Sequence, residues 1–284
     1  MVGRLLEGFI DCEYASLRAF RQSVHQVLYS QAISHPLIHS TNVGHIMTPA
    51  PAGKKKRISK KEQREKSLEE ILDAAEYLFS KRGIYGVSFR DVALKVGIHS
   101  SLLGYYFDSK RELFEAVFAR RAEMHTRIRM EALDRYEAEA AGNYTVEGAL
   151  HAFLDTDLDS YISGGEKARN YGAFGAQVSA APELAELMDQ HFDPLVRRLI
   201  GILKKALPDC ADEDLFWGYH FVSAALMQTI ARTGRIDRLS GGLCLSDDLA
   251  AVKARITTFM AAGFIAICRE RKLARDHGTL PQAR

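Results

Sequence analysis

Residues 86–112, GVSFRDVALKVGIHSSLLGYYFDSKRE, hold two short helical segments joined by a tight Val96-Gly97-Ile98 connection. Ser88 is a good N-cap, and Asp91 three residues on supplies the reciprocal partner of a capping box. Phe89, Val92, Ala93 and Val96 then recur on one face at helical spacing. Gly97 falls where the helix stops and the backbone needs positive φ, which glycine adopts at no steric cost. A second helix is expected from about His99 to Tyr106, with Leu102, Leu103 and Tyr106 facing inward. Ser109 and Glu112 read as a further capping box that opens a longer helix. Helix, tight turn, helix is the geometry that lets a second helix enter a DNA major groove.

The outward face of that second helix is small and polar. Ser100 and Ser101 suit base edges and phosphates, and Gly104 leaves room for close approach. Tyr105 and Lys110 flank it at positions suited to phosphate contact, which fixes register rather than sequence. A helical hairpin of this size also occurs in ordinary bundles, so the context matters. Residues 68–83, LEEILDAAEYLFSKRG, precede the hairpin, and GYYFDSKRELF follows from Gly104. Together they resemble the DNA-binding domain of the TetR/AcrR family of bacterial repressors, over residues 65–125. Three positions depart from the family pattern: His99, where serine is frequent, Gly104, where tyrosine is, and Tyr105, where histidine is. The resemblance implies DNA contacts from Ser88, Arg90, His99, Ser100, Ser101, Leu102, Gly104, Tyr105, Tyr106 and Lys110.

The chain has 284 residues, 47% hydrophobic and 26% charged, which is ordinary for a globular protein with a sizeable core. A net charge of +2 creates no global field for nucleic acid, so any DNA affinity must be local. Such a local source exists. Lys54, Lys55, Lys56, Arg57, Lys60, Lys61, Arg64 and Lys66 crowd residues 54–66 against Glu62 and Glu65 alone. A charge run is usually a solvated tail, but one placed directly before a helix-turn-helix reads as an arm that tracks phosphates. The four cysteines (Cys12, Cys210, Cys244, Cys268) are far apart and lack CxxC spacing, which fits reduced thiols and a cytoplasmic, nucleoid-associated protein. No apolar run stands out as a membrane span, and no membrane partner is expected.

Residues 1–64 read as a disordered extension. His35, His39 and His45 are interrupted by Pro36 and are taken as incidental rather than as a metal site. Met47 followed by TPAPAG and the lysine run looks like a natural start, which would make residues 1–46 an upstream extension. From Asn143 to about Cys268 every signal is helical, and the fold class expected is all-α. A three-helix helix-turn-helix domain is followed by a larger helical ligand-binding and dimerisation domain at 126–270 and a flexible tail at 271–284. Leu68, Ile71, Leu72, Ala75, Leu78 and Phe79 form the stripe of a first helix from about Glu62 to Arg82. A long helix follows from Lys110 to about Ala140. Thr145 caps the next, Arg169–Ala180 forms another, and Pro182 opens one that Pro194 should kink or split. Asp212 is expected to cap a helix to about Thr233. That helix is apolar nearly all round (Leu215, Phe216, Trp217, Tyr219, Phe221, Val222), which calls for burial on every side. The last helix, from Ser246, aligns Leu249, Val252, Ile256, Phe259, Met260, Gly263 and Ile267.

In the family the last two long helices pair into a four-helix dimer bundle, so the segments 212–233 and 246–268 are expected to form a homodimer. Phe153, Tyr161, Tyr171, Phe174, Phe192, Trp217, His220, Phe221 and Met227 are the candidate lining of an effector cavity, although any one of them taken alone reads more readily as core. Residues 232–242, RTGRIDRLSGG, and the Ser-Asp-Asp-Leu from 246 resemble a fatty-acid-responsive subgroup of the family. That likeness implies a fatty acid or acyl-CoA effector, with Arg232, Arg235 and Arg238 as candidates for an acidic head group. No catalytic motif is present: HExxH, GxSxG, P-loop and GxGxxG are all missing. Asp155, Asp157 and Asp159 are spaced to spread around a helix rather than converge. No cofactor, metal or enzymatic activity is expected. A ligand-released repressor on a palindromic operator is the leading reading; a helical lipid or coenzyme A-thioester carrier or enzyme is the alternative, in which a basic arm and a helix-turn-helix would be idle.

Overall fold

A computed structural model describes residues 59–278. The basic residues 54–57, His35, His39, His45 and Met47 lie outside that range. Helices account for every regular element among the described residues, with no strand.

Helix α1 (Lys60–Arg82) starts two residues before the expected Glu62 because Ser59 caps it. Ser59 Oγ accepts from the Glu62 N–H at 3.2 Å and Glu62 returns the contact to the Ser59 N–H at 2.7 Å. The helix therefore begins inside the basic run, and Lys60, Lys61, Arg64 and Lys66 sit on its first turns. Its inward stripe is the expected one, with Ile71, Leu72, Ala75 and Phe79 fully buried. Helices α2 (Phe89–Val96) and α3 (Ser100–Tyr106) form the predicted hairpin. Gly97 at φ 79° carries the left-handed turn between them.

Helix α4 (Lys110–Ala140) leaves this head without a break and enters the larger helical body. Leu113, Phe114, Val117 and Phe118 bury its first turns in the head, and Ala122, His125, Arg129 and Leu133 its later ones in the body. The body adds α5 (Val146–Ser163), α6 (Gly165–Ser179), a 3₁₀ turn at Pro182–Leu184, α7 (Ala185–Ala206), α8 (Asp212–Ile230), the short α9 (Arg235–Leu239) and α10 (Leu249–Asp276). Helix α5 packs between α4 and α10, α7 lies along α4, and α6 carries the body against α1 of the head.

Several local expectations are corrected. Ser109 Oγ accepts from the Glu112 N–H, but Glu112 reaches past the cap to the Asp108 N–H at 2.6 Å, so the second box is only half formed. Helix α6 starts at Gly165 rather than Arg169, because Gly165 takes φ 62° and turns the chain straight out of α5. Pro194 does not split its helix; α7 runs through it as one element. Asp212 occupies the first turn of α8, where its charge suits the helix dipole, and the cap position is Ala211 with no side-chain bond. Along α10 burial follows Leu249, Ile256, Ala261, Phe264 and Cys268, while Phe259 is 74% exposed. The helix also continues to Asp276, past the tail boundary expected at 270.

Two further differences concern cysteine and membrane. Cys210 and Cys268 are joined in a disulfide across a separation of 58 residues, which ties the start of α8 to α10; the expectation of reduced thiols holds for Cys244, which is free and exposed. Helix α10, over Leu249–Ala274, is long and apolar enough by composition to cross a membrane. One side of it packs on α5 and α8. Gly218 of α8 makes that approach close, since a Cβ there would collide with the Phe264 ring.

Candidate nucleic-acid interface and effector cavity

The α2–α3 pair presents its polar face as the sequence suggested, with two exceptions. Arg90, His99, Ser100, Ser101 and Gly104 are exposed, and Tyr105 and Lys110 are half-buried. Tyr106 is a core residue: it is 5% exposed and packs edge-on to Tyr105 at 5.5 Å. Leu102 is half-buried against the same core, and its outer edge alone faces solvent. Ser88 is exposed, but its hydroxyl is tied to Asp91 Oδ2 at 2.5 Å, and the paired cap bonds hold the Asp91 carboxyl below its ordinary range.

His99 explains its own departure from the family pattern. Its Nδ1 accepts from the Ser101 N–H at 3.4 Å and lies 2.8 Å from Ser101 Oγ, so the imidazole does the capping that a serine would do. That bond engages the Ser101 hydroxyl and leaves Ser100 as the serine without a side-chain partner among the described residues.

Head and body meet through charge and rings. Arg120 of α4 reaches Glu69 at 3.0 Å, Asp73 at 2.9 Å and the buried Glu76 at 2.8 Å, and Arg121 adds a second cation to Glu76 at 3.1 Å. From α6, Lys167 pairs with Asp73 at 2.7 Å and Gln177 donates to Ser80 O at 2.9 Å. Burial works against the Asp73 charge, but Lys167 and Arg120 outweigh it and hold the carboxyl low. Phe174 of α6 lies beside these contacts, with its ring against Phe79, Phe114 and Phe118.

The body contains a cavity of about 40 Å³ walled by α4, α5, α6, α7 and α8. Five of the nine sequence candidates line it: Phe153, Tyr161, Tyr171, Phe192 and Met227. Four do not. Phe174 belongs to the head–body cluster just described. Trp217 and Phe221 are about half exposed on the outer side of α8, with His220 between them at ring contact.

The cavity also holds three charged or titratable side chains, of which sequence reasoning weighed Asp157 alone and did not place it in a cavity. His125 Nδ1–H donates to Asp157 Oδ1 at 2.5 Å, and Arg129 Nη1 stands 3.7 Å from Asp157 Oδ2. Arg129 Nε–H donates to the Phe153 carbonyl at 3.1 Å, and the guanidinium covers the Phe153 ring at 3.7 Å. The His125 ring lies against Tyr161 at 5.1 Å and Tyr171 at 4.9 Å, and those two rings are themselves 6.5 Å apart. Burial raises the Asp157 carboxyl, but Arg129 and His125 more than offset it, so the group stays ionised below its usual range. The same burial pushes the Tyr161 and Tyr171 phenols far up, and both stay neutral. A sequence signal for this trio did exist. Asp157 lies four residues from both Phe153 and Tyr161 on an apolar stripe, and His125 and Arg129 share an i, i+4 face.

Of the three arginines considered for a head group, Arg235 and Arg238 are exposed on α9. Arg232 is turned inward at φ 46°, 3.4 Å from the Tyr161 carbonyl and 3.6 Å from Asp247.

Comparison with known proteins places this architecture. Residues 71–117 match the model of bacterial regulatory proteins of the tetR family, and residues 151–263 match that of the tetracyclin repressor-like C-terminal domain. No curated protein matches the sequence. Among solved structures, the ketosteroid transcriptional regulator KstR2 of Mycobacterium tuberculosis superposes with a TM-score of 0.50 at 17% identity, covering 69% of this chain and 94% of that one. A transcriptional regulator from Pseudomonas aeruginosa PAO1 gives 0.49 at 16% identity, covering 73% and 94%. FadR from Bacillus subtilis, solved with stearoyl-CoA, gives 0.47 at 14%, covering 69% and 98%. At 17% identity the KstR2 likeness speaks for the fold alone, and the other two add nothing to it. The two family models speak for more, because they match the head and the body separately and in order, and together they span over half the sequence: the chain belongs to the TetR family of DNA-binding transcriptional regulators.

Proposed function

We propose that the protein is a homodimeric, ligand-released repressor that acts in the cytoplasm on a near-palindromic operator. One observation carries the DNA-reading part: His99, Ser100 and Gly104 are exposed at the start of and along α3, and the half-buried Lys110 opens the helix that follows it. Placed in a major groove, Ser100 would meet base edges, and Lys110 and Tyr105 would meet phosphates. The basic start of α1 would add contacts that are salt-dependent and blind to sequence.

The dimer rests on the apolar side chains left outside. Phe216, Trp217 and Phe221 on α8, with Phe259 and Ile265 on α10, are all between 39% and 74% exposed. Large apolar surface of this kind on two adjoining helices calls for a partner, and a second copy placed by two-fold symmetry buries both at once. The same contact answers for the membrane-length composition of α10.

Release would follow from a small molecule in the central cavity that favours a head spacing no longer matched to the half-sites. Such a ligand must bind that conformation more tightly than the DNA-bound one. A fatty acid or acyl-CoA, the class implied by the likeness at 232–242 and 246–249, would have to widen a cavity of about 40 Å³, far below the ~300–1,000 Å³ usual for ligand sites. Selection of genomic fragments on the purified protein tests the proposal. Enrichment of an inverted repeat is the expected result, and fragments without a shared motif would sink it.

A further inference from the structure

The reading of the cavity as an effector site leaves its ligand open, and the inference below rests on that reading. The charges in the wall narrow the choice. Among the described residues Asp157 is the only carboxylate lining the cavity, and its two oxygens face His125 and Arg129. A cationic ligand would therefore meet Arg129 before it met an unmatched negative charge.

Arg129 is under-used. It is 5% exposed, its Nε–H is bonded to the Phe153 carbonyl, and its Nη1 is too far from Asp157 for a hydrogen bond. Among the described residues the Nη groups make no other bond. Neither the Tyr161 nor the Tyr171 hydroxyl is hydrogen-bonded to another described side chain. A buried guanidinium with an open fork matches a planar carboxylate, which it can grip with two parallel N–H bonds.

The walls favour a flat apolar body. Tyr161, His125 and Tyr171 lie nearly parallel, with interplanar angles of 23° and 20° to the histidine. Phe118, Phe153 and Phe192 close other sides. The free space of about 40 Å³ holds about three waters, and a single ring enters once Met188 and Met227 swing aside, as unbranched side chains can. A long acyl chain would need the helices themselves to part.

We propose that the cavity binds a small aromatic carboxylate, its acid group on the Arg129 fork and its ring against the Tyr161–His125–Tyr171 array.

Direct titration of the full-length protein without DNA tests this, using 4-hydroxybenzoate, 4-hydroxybenzamide, benzylamine and stearoyl-CoA as probes. The acid should bind about tenfold or more tighter than the amide, and benzylamine and stearoyl-CoA should not compete with it. Two variants locate the effect. Arg129→Gln combined with Asp157→Asn removes both charges of the pair and leaves no lone charge from it, so it should fold and should bind acid and amide alike. Gly175→Leu grows into the wall where a Cβ meets nothing within 4 Å, and should abolish binding. If the amine or stearoyl-CoA binds while the acid does not, the ligand class is wrong and the cavity still stands as an effector site. If the acid binds and Gly175→Leu leaves its affinity unchanged, the ligand sits elsewhere and both readings fail. Silence of all four probes overturns the proposal.

Discussion

Phe174 stacks on Phe79 with ring centroids 6.1 Å apart, which places an α6 side chain from the body inside the core of the DNA-binding head. Phe174 also meets Phe114 edge-on at 4.8 Å and Phe118 at 6.1 Å, and Phe118 lines the cavity. The head therefore has no core of its own separate from α6. A shift of α6 or Phe118 is felt by α1 directly through packed rings.

Truncating that ring should cost both stability and communication. Phe174→Ala leaves a hole at a fully buried site and is expected to lower unfolding stability by about 3–5 kcal/mol, with Phe174→Leu costing less. Urea denaturation monitored at the single tryptophan, Trp217, checks this. A loss under about 1 kcal/mol would mean that the ring cluster contributes little.

His99 should behave as a cap first. His99→Ala removes the acceptor for the Ser101 N–H and should weaken specific DNA binding through about 1 kcal/mol of lost α3 stability, whereas His99→Ser should recover most of it. Gel shifts on the operator compare the three proteins. Equal loss in both variants would point instead to a direct contact from the imidazole.

The buried Asp157 gives stability an acid dependence of defined sign. Its folded pKa lies below the unfolded value, so its contribution is complete above the ordinary carboxylate range and is lost as pH falls through the folded pKa. Asp157→Asn alone strands Arg129 and should cost about 3–5 kcal/mol at neutral pH, with the gap to wild type shrinking in acid. Thermal melts from pH 7 down to strongly acid conditions follow it. A gap independent of pH would contradict the ionised pair.

Reduction should loosen the junction of α8 and α10. Opening a disulfide that closes a loop of this length removes about 2–4 kcal/mol. The ion pairs Lys272–Asp209 and Arg271–Asp214 flank it and remain. Melting with and without a dithiol, alongside Cys210→Ala, measures the difference. Identical melts, with all four cysteines alkylatable in the untreated protein, would show the bond absent.

The helix-turn-helix was legible because capping chemistry is local. Ser88, Asp91 and Gly97 fix helix ends by bonds to near neighbours, and those ends fell where the residues put them. Side-chain destinations were harder. Phe174 and Tyr171 lie three residues apart on α6 and have the same chemistry, yet one enters the head and the other the cavity. That choice depends on how α6 crosses α1, which no local signal encodes. His125 and Arg129 escaped notice, and Asp157 was not linked to them, for a related reason: a lone charge on an apolar stripe looks like noise until its partner on another helix is known. The open face of α8 was partly foreseen, since a helix apolar on every side exceeds what one core can cover.

The central claim is that α3 reads a specific DNA sequence. Its most direct test is a gel shift of the purified protein on DNA upstream of its own gene, at about 150 mM salt with excess random competitor, because salt sets the non-specific background. A discrete complex that survives competitor in the wild type, and is lost selectively on specific DNA in Ser100→Ala, is the predicted result. Binding that competitor removes entirely, on this DNA and on every fragment recovered by genomic selection, would contradict it.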